Sequence, residues 1–584
     1  MRLLLIAVLL LTIVIFLGYN NTFESPFVFD DNFTVVGDSY VTNFSFAASD
    51  WRSLLGTRGL RDVTLGINHY YSGLEVTSYH VVNTALHILA SCMVFLLARL
   101  LSQRSIKTRV WSTDIADVEN HDLHGLLVAL VFAAHPIQTM AVTNITQRSS
   151  LLLGLFYVLA MFAFMKARLS ARPAGWWALL LGATGLALVS RETAATLPVA
   201  LALLEWLFLP DSKAFWRRHW LLLAVVGLLA LTVPGRYLGL IPIYNFNPLV
   251  VSEWAERLGR VDLGRLMVRT ELVEPLHYIL TEPRVIMRYL GLLLWPVNQN
   301  ADWDIVLSTS LWRPLTTAFS FIGVAGLAGL GFWLRRRAPL AAFGLLFFLL
   351  ALSIESSIII LPDVMFEYRL YLPTFGIALV LAQLVSYLKR PATVVALLLV
   401  LTTVLTVATY RRNLVWASTV SFWSDVVEKS PNVRRAHKNL SVGLLQAGDK
   451  EGALYHAERV VEIEHDHASG YRNLGAILTQ LGRLEESEAA LERALELEPD
   501  HPGAYNNLGN THAFAGRWHD AVAAFERSLE LEPTAATHQN LATAYANLGR
   551  YRDAVHHYEQ ALALDPSREK AAQQLRAARR LIGG

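Results

Sequence analysis

The stretch "GYRNLGAILTQLGRLEESE", residues 470–488, decides the fold of the C-terminal part of this 584-residue chain, because it recurs three more times. The counterparts are "AHKNLSVGLLQAGDKEGAL" at 436–454, "AYNNLGNTHAFAGRWHDAV" at 504–522 and "THQNLATAYANLGRYRDAV" at 537–555. A period of 33 or 34 residues separates the aligned positions Asn439, Asn473, Asn507 and Asn540, Gly448, Gly482, Gly516 and Gly549, and Pro499, Pro533 and Pro566. This period predicts stacked helix pairs, with glycine at the tight turn and proline after the second helix.

The period is that of the tetratricopeptide repeat, and residues 434–567 are predicted to form four repeats. A polar helix at 568–584 is predicted to cap the stack. The four aligned asparagines, Asn439, Asn473, Asn507 and Asn540, are interpreted in two ways. They form either an amide ladder that binds the backbone of an acceptor peptide, or hydrogen bonds within each repeat and helix caps.

Before residue 411 the chain consists largely of long apolar runs, which raise its hydrophobic content to 54%. The first run follows Arg2 and lacks a small-x-small cleavage site, so it is predicted to be an uncleaved membrane span. Further runs lie at 80–101, 123–140, 149–167, 174–190, 194–209, 219–234, 314–334, 338–354, 370–388 and 392–410. At ~20 residues a span, we predict about eleven transmembrane helices. The predicted fold is all-α, with a membrane bundle at 1–412, a helical junction at 413–433 and the repeat solenoid.

Basic residues cluster after alternate runs, which predicts the orientation of the chain. The clusters follow the second, fourth and sixth runs and the runs at 314–334 and 370–388. The N-terminus is therefore predicted to be cytoplasmic, and the loop at 19–79, the segment at 235–313, the loop at 355–369 and the repeats extracytoplasmic. The stretch 284–297, "RVIMRYLGLLLWPV", is interpreted as an interfacial or re-entrant helix, since counting it as a span would invert the later charge pattern.

Net charge and cysteine content exclude two classes of site. The net charge of +2 gives no field for a polyanion, so nucleic acid is not expected as a partner. The single cysteine, Cys92, excludes a disulfide framework and a thiolate metal cluster. The acidic residues would suit a divalent cation, although no ligand pattern demands one, and no metal ligands are assigned.

Ionisable residues at the predicted outer ends of the spans are the candidate site, since charges near a bilayer are costly. Asp30 and Asp31, in "FVFDDNFTV", are candidates for acid–base chemistry. Arg148, Arg191 and Arg369 lie opposite the basic clusters and would suit a phosphate carried on a lipid. Supporting residues are His80, His135, Glu192, Glu355 and Glu367. Asn83 and His87 share a helical face with His80, and we interpret them as links between helices.

Several of these blocks together resemble a known family. "FVFDDN", "YHVVNTALH", "AAHPIQTMAVTNITQRSSLL", "SRETAATLPVAL", "RYLGLLLWPVN" and "ESSIIILPDVMFEYRLYLPTFG" look like successive blocks of prokaryotic multi-spanning tetratricopeptide proteins. Those proteins are similar to the transmembrane-and-tetratricopeptide protein O-mannosyltransferases. The resemblance implies a GT-C glycosyltransferase of the prokaryotic inner membrane that uses a polyprenyl-phosphate-linked sugar and faces away from the cytosol.

The resemblance also implies roles for particular residues. The acidic pair in the first outer loop is catalytic in that family, which here means Asp30 and Asp31, and a basic residue in the late outer loop binds the lipid phosphate, which here means Arg369. Two positions depart from the pattern: Met140 stands where an acid is usual, as does Ser149 or Ser150. The predicted reaction is inverting transfer of a sugar to serine or threonine of a protein that the repeats present.

Two other functions stay open at this point. The chain could be a non-catalytic membrane scaffold whose repeats assemble a secretion or envelope complex. It could also be a GT-C enzyme that acts on a glycan or a lipid. Only the scaffold reading predicts that Asp30 and Asp31 can be replaced without loss.

Overall fold

The structure is a computed structural model and describes residues 2–46, 54, 56, 58–107, 117–209, 224–228, 231, 275–356, 363–388 and 390–583. Within these ranges the regular structure is helical and there is no strand, which confirms the all-α fold class. The chain divides into two compact units, Met1–Phe422 and Trp423–Gly584.

The first unit is a bundle of apolar helices joined by short turns. The helices are α1 (Arg2–Tyr19), α2 (Ser39–Thr42), α3 (Gly59–Ser72), α4 (Val76–Lys107), α5 (Asp117–Ala134), α6 (Thr139–Val142), α7 (Arg148–Leu169), α8 (Ala174–Leu188), α9 (Leu197–Phe208), α10 (Pro275–Leu294), α11 (Thr316–Leu334), α12 (Pro339–Leu352), α13 (Pro373–Val385) and α14 (Pro391–Asn413). A further helix, α15 (Thr419–Lys429), begins in the first unit and ends in the second. Most of the predicted run at 219–234 lies outside the described residues, as do Lys213, Arg217 and Arg218 of the basic cluster before it.

Five described helical segments are long and apolar enough to cross a membrane, namely Leu4–Thr22, Val76–Ser105, Ile145–Leu169, Thr316–Leu334 and Ala392–Ala417. The bent pair His121–Ala134 and Pro136–Val142 would make a sixth. Helices α8, α12 and α13 are apolar but shorter. Several apolar helices are thus present, and the figure of about eleven spans stays a prediction. Helix α10, which includes residues 284–294 of the stretch 284–297, is not among these segments.

Helices α12 and α13 approach each other closely where two glycines meet. A Cβ added to Gly344 would lie 2.3 Å from the carbonyl oxygen of Gly376, and one added to Gly376 would lie 2.5 Å from that of Gly344. Only glycine leaves room for two backbones at this distance, a device that brings helices together in membranes.

An irregular, fully buried segment interrupts the bundle between α5 and α7. The helix bends by 48° at the break before Pro136. Short turns at Pro136–Gln138 and Ile145–Gln147 then flank α6, and all residues from 127 to 154 are buried. Non-helical backbone at this depth is stable only inside protein, where other groups complete its hydrogen bonds. This segment places polar side chains in the interior of the unit.

The second unit is the predicted stack of helix pairs. Its helices are α16 (Arg434–Gln446), α17 (Lys450–Ile463), α18 (Ala468–Leu481), α19 (Leu484–Leu497), α20 (Pro502–Phe514), α21 (Trp518–Leu531), α22 (Ala535–Asn547), α23 (Tyr551–Leu564) and α24 (Glu569–Gly583). The four turn glycines have φ between 72° and 88°, the left-handed conformation that favours glycine. The predicted turn positions are therefore confirmed.

Candidate active site

The acidic pair lies in a strained turn after α1. Phe29 has φ 58°, which is unusual for a bulky side chain. Its ring centroid lies 5.9 Å from that of Phe366 and 6.0 Å from that of Phe422. Strained backbone of this kind persists only where the surrounding packing holds it, and it concentrates at functional sites. The ring contacts hold Asp30 and Asp31 in place and bring the first loop against the segment that contains Arg369.

The two aspartates have different environments. Asp31 is 1% exposed, and its Oδ1 accepts hydrogen bonds of 2.7 Å from both the backbone N and the Oγ1 of Thr146. Burial raises the pKa of Asp31 to about 6, although the hydrogen bonds from Thr146 oppose that shift. Asp30 is half-buried, and its carbonyl oxygen accepts from the backbone N of Phe33 and of Thr34. Asp31 thus anchors the loop, while Asp30 is the more accessible acid.

The turn Ile145–Gln147 connects Asp31 to a group of buried charges. Gln147 follows the residue that Asp31 contacts, and its Oε1 accepts a 3.2 Å hydrogen bond from Nη1 of Arg191. The same Nη1 donates a 2.7 Å bond to Oγ of Ser150. The serine at one of the departures from the family pattern is therefore a partner of Arg191. Met140, the other departure, is buried.

Glu355 lies between Arg191 and Arg369. Nε of Arg191 is 2.9 Å from Oε1 of Glu355, and Nε of Arg369 is 3.3 Å from Oε2. Thr193 donates a further 2.8 Å bond to Oε1. Burial raises the pKa of Glu355, but attraction to Arg191 and Arg369 outweighs burial, so that pKa lies below its usual range. Two arginines share one carboxylate here, although their residues are 178 positions apart in the sequence.

Unpartnered hydrogen-bond donors lie on residues of this group. Nη2 of Arg191, Oγ of Ser149 and Nδ2 of Asn144 are buried and have no hydrogen-bond partner among the described residues. Buried donors are nearly always bonded, so each of these needs an explanation. All three lie on the 144–150 segment or on the arginine bonded to it, and all three would suit oxygens of a bound anion.

Arg369 is held in place by its own turn. Its Nη1 and Nη2 donate to the carbonyl oxygens of Val364 and Asp363, at 2.8 and 2.7 Å. The neighbouring Glu367 accepts a 2.6 Å bond at Oε1 from the backbone N of Asn300. Residues 363–369 of the late outer loop are therefore fixed by direct hydrogen bonds.

Arg148 does not join Arg191 and Arg369. Its Nε donates to Oδ1 of Asn83 at 2.8 Å and its Nη1 to the carbonyl oxygen of Thr64 at 3.0 Å. Its Nη2 donates to Oδ1 of Asn68 at 3.0 Å and to the carbonyl oxygen of Tyr79 at 3.3 Å. These bonds join α3, α4 and α7, so they favour a structural role for Arg148 and for Asn83.

The supporting residues are dispersed around this group. His80 lies 3.0 Å from the carbonyl oxygen of Ser25, through Nε2. His135 directly follows the end of the bent α5, and its Nδ1 accepts a hydrogen bond from the backbone N of Ile137. His87 bridges Oη of Tyr371 and the carbonyl oxygen of Ala133, which makes it a link between helices, as expected. Glu192 lies 3.6 Å from Nη2 of Arg58.

The repeated asparagines connect successive repeats. Nδ2 of Asn473 donates to Oγ of Ser441 at 2.9 Å, and Nδ2 of Asn507 lies 3.5 Å from the carbonyl oxygen of Arg472. Nδ2 of Asn540 is bonded to the amide oxygens of two asparagines in the preceding repeat, at 3.1 and 3.2 Å. The amides thus form a ladder between repeats, whereas the sequence interpretation considered peptide binding or bonds within one repeat. Asn439 lies in the first repeat and is half-buried.

Sequence reasoning missed some members of the site. Thr146 was not singled out, although it contacts Asp31 twice. Arg284 and Arg288 were quoted within the interfacial helix but given no role, although their four-residue spacing puts both on one helical face. No group of three metal-ligating acidic, histidine or cysteine side chains occurs in the described ranges, and a divalent cation stays untested.

Fold and site together define a multi-spanning helical membrane protein with a buried carboxylate–arginine centre and a tetratricopeptide unit. Tetratricopeptide repeat family models match residues 466–533 and 535–568. The chain is 25% identical to a protein O-mannosyl-transferase of Caenorhabditis elegans, over 72% of this chain and 57% of that protein. It is 31% identical to the protein O-mannosyl-transferase TMTC3 of Mus musculus, over 20% of this chain and 11% of that protein. The resemblance drawn from the motifs is confirmed: the chain is related to proteins named protein O-mannosyl-transferases.

The overlap with these relatives is partial, and the matching solved structures are distant. The chain spans little more than half of the length of the relative in Caenorhabditis elegans. A tetratricopeptide protein of Thermus thermophilus is 21% identical, with a TM-score of 0.26, over 30% of this chain and 93% of that chain. MamA of Desulfovibrio magneticus is 18% identical, with a TM-score of 0.23, over 26% of this chain and 85% of that chain.

Proposed function

We propose that this protein is a membrane glycosyltransferase that moves a sugar, a mannose by analogy with its named relatives, from a polyprenyl-phosphate-linked donor to serine or threonine of a protein. The observation that carries the proposal is the convergence of four distant segments. The first loop, the Ile145–Gln147 turn, Arg191 and the 355–369 segment are joined by direct contacts. A structural scaffold has no need to gather acids, arginines and unpartnered donors in one place.

In this proposal Asp30 is the base and Asp31 positions it. Asp30 is the half-buried member of the pair, whereas Asp31 is 1% exposed. As the acceptor hydroxyl oxygen bonds to C1 of the sugar, its proton passes to the Asp30 carboxylate. The bond between C1 and the phosphate oxygen breaks on the opposite face, and its electron pair stays with the phosphate. Attack opposite the leaving group inverts the anomeric centre.

Arg191 and Arg369 supply the positive charge for the leaving phosphate. They share the carboxylate of Glu355, and Glu192 and Glu282 are further buried acids near Arg191 and Arg369 respectively. Nη2 of Arg191 also lacks an acceptor among the described residues. A phosphate oxygen would satisfy that donor. Arg148, bonded to neutral acceptors, acts by holding the helices beneath the Ile145–Gln147 turn.

The repeats present the acceptor in this proposal, on the face of the ladder helices α16, α18, α20 and α22. The residues just before the four aligned asparagines, Lys438, Arg472, Asn506 and Gln539, lie at matching positions of these helices and are half-buried. Oδ1 of Asn506 already accepts from Asn540, and the remaining donors and acceptors of these residues would bind an extended peptide, while Asn473, Asn507 and Asn540 hold the helices that carry them.

Transfer in membranes tests the proposal, with envelope proteins analysed by mass spectrometry for a hexose on serine or threonine. Asp30→Asn should abolish the modification while the protein still accumulates. The matched control is Asp38→Asn, because Asp38 lies in the same loop and caps α2 through the backbone N of Tyr40, a role that asparagine keeps. An unchanged modification profile in Asp30→Asn and Asp31→Asn would sink the catalytic role of the pair and favour the scaffold. If the sugar is found on a glycan or a lipid and not on protein, the assignment of the active site would stand but the acceptor would be different.

A further inference from the structure

A cavity of about 220 Å³ lies between α10 and the start of α11. Its wall contains two arginines and two hydroxyl residues beside two apolar side chains, namely Arg284, Arg288, Thr316, Ser320, Val285 and Ile305. The volume would hold several waters at ~30 Å³ each, and therefore also a phosphate group. Cationic and apolar surfaces thus meet in one small space.

The two arginines project from neighbouring turns of α10 into the same region. Nη1 of Arg284 donates to the carbonyl oxygen of Val306 at 2.7 Å and to Oγ of Ser308 at 3.2 Å, which fixes its direction. Arg288 stacks over the ring of Trp303, with Cζ 4.3 Å from the ring centroid. Arg288 forms no hydrogen bond or ion pair with any residue that the structure describes. Burial and the proximity of Arg284 lower the pKa of Arg288, although Glu367 opposes that shift.

The start of α11 adds to the positive character of the cavity. Thr316 is the first residue of α11, and Leu315 before it provides no side-chain cap. The first backbone N–H groups of a helix carry partial positive charge and favour anions. The partial charge of these N–H groups adds to the charge of the two arginines, and it would not form an anion site without them.

The cavity adjoins both the bilayer surface and the candidate active site. The apolar window of α11 is only 11% buried, which suits a helix that faces lipid, and Trp312 just before it is 69% exposed. Tryptophan at the end of a span is typical of the membrane interface. The residue next to Arg288, Tyr289, donates a 2.8 Å bond to the carbonyl oxygen of Phe366, in the segment that carries Arg369. A lipid headgroup at this position would therefore lie beside the reaction centre.

We infer that the cavity between Arg284 and Arg288 binds the phosphate of a lipid at the outer membrane interface. The two guanidinium groups bind the phosphate oxygens, and Val285 and Ile305 contact the first carbons of the lipid chain. Two sources share this chemistry, the prenyl phosphate of a sugar donor and the headgroup of a bulk phospholipid. The first source rests on the proposed function, whereas the binding site does not.

Equilibrium binding of radiolabelled farnesyl phosphate to the full chain in phosphatidylcholine nanodiscs tests the inference. Arg288→Gln should weaken binding roughly tenfold, and the double change of Arg284 and Arg288 to glutamine roughly a hundredfold, as expected for charge-assisted hydrogen bonds. Arg288→Lys should recover part of the loss because it keeps the charge. The matched control is Arg337→Gln, since Arg337 also stacks over a tryptophan, Trp333, but at the other end of α11, with Cζ 4.2 Å from the ring centroid.

Competition separates the sources. If phosphatidylglycerol in the nanodisc displaces farnesyl phosphate through the same arginines, the occupant is a phospholipid headgroup. If it does not, the occupant is a prenyl phosphate. Inorganic phosphate that competes at the same concentration as farnesyl phosphate would overturn the lipid assignment.

The variants keep the inference separate from the proposed function. Arg284→Gln removes contacts to Val306 and Ser308 and could unfold the site, but Arg288→Gln breaks no hydrogen bond in the described part of the chain. Unchanged binding in Arg288→Gln and in the double variant would overturn the inference even if sugar transfer is observed. Arginine-dependent binding in a chain without transfer activity would instead sustain the site and contradict only the function.

Discussion

Replacing Glu355 with glutamine should destabilise the membrane unit and abolish transfer. The change keeps the size of the side chain but leaves Arg191 and Arg369 buried without their shared carboxylate. Removing one partner of a buried pair costs about 3–5 kcal/mol. Unfolding entropy of roughly 2 cal/mol/K per residue converts this loss into a fall of roughly 3–6 °C in the unfolding midpoint for a unit of this length.

The pH dependence gives a second signature of the same change. Because the folded state holds the pKa of Glu355 below its usual value of 4.5, the carboxylate stabilises the fold above that pH. Its contribution is lost as the pH falls through the folded-state pKa. The unfolding midpoints of wild type and Glu355→Gln should therefore differ at pH 7 and converge in acid.

Thermal unfolding in detergent, followed by circular dichroism, measures both effects, and hexose transfer is measured on the same preparations. The matched control is Glu205→Gln, because Glu205 is 0% exposed and accepts two 2.7 Å bonds from Arg168 in another part of the unit. The control should lose stability but keep transfer in the folded fraction. If Glu355→Gln is as stable as wild type from pH 4 to 8, the shared carboxylate does not hold the arginines, and this reasoning is refuted.

Three further changes test separate parts of the structure. Burial raises the pKa of Asp31 and favours its protonated form, so this carboxyl should cost wild type about 3 kcal/mol of stability as the pH rises from 3.8 to about 6. Asp31→Asn lacks that cost, so the unfolding free energies of variant and wild type should move apart by about 3 kcal/mol over this range; parallel pH curves would contradict this. Asn540→Ala should cost the repeat unit about 1–2 kcal/mol in urea unfolding, since two asparagine oxygens lose their donor; an unchanged midpoint would show that the ladder adds no stability. Gly344→Ala should cost about 1–3 kcal/mol or more, because its Cβ would lie 2.3 Å from a backbone oxygen of α13; thermal unfolding measures it, and wild-type stability would mean that the two helices can separate.

The repeats could be predicted from the sequence almost position by position. Each repeat packs only against its neighbours, so local spacing contains most of the information. The glycines of the four turns have the left-handed φ that their spacing predicts. The hydrogen-bond partners of these asparagines could not be predicted in the same way. Asn473 bonds to Ser441, 32 residues away, and an amide can form hydrogen bonds equally well within one repeat or between two.

The bundle shows where sequence reasoning stops. Apolar runs predict helices, yet the break at His135 and Pro136 and the buried turns after it form because tertiary contacts complete their hydrogen bonds. The acidic pair and the arginines were identified by charge in apolar surroundings. Their grouping was not, because Glu355 and Arg191 lie 164 residues apart and nothing local indicates that they meet. In the sequence, Arg148 and Arg191 are both arginines at the predicted outer ends of apolar runs, and it is their hydrogen-bond partners in the structure that distinguish them.

The groups that each arginine contacts indicate whether its role is structural or ligand-binding. Arg148 is bonded to four neutral acceptors, which occupy its donors and would compete with any anion. Arg191 and Arg369 share the carboxylate of Glu355, which fixes both guanidinium groups beside each other. Arg288 lines an open cavity and, within the described residues, stacks over an aromatic ring without a hydrogen bond or ion pair, so it can exchange ligands. An enzyme that takes a lipid phosphate from the bilayer and later releases it needs both kinds of cation. Arg288, which can exchange ligands, would suit the membrane surface. Arg191 and Arg369, which are fixed, would suit a position beside Asp30 and Asp31, where they would hold the leaving phosphate away from the sugar.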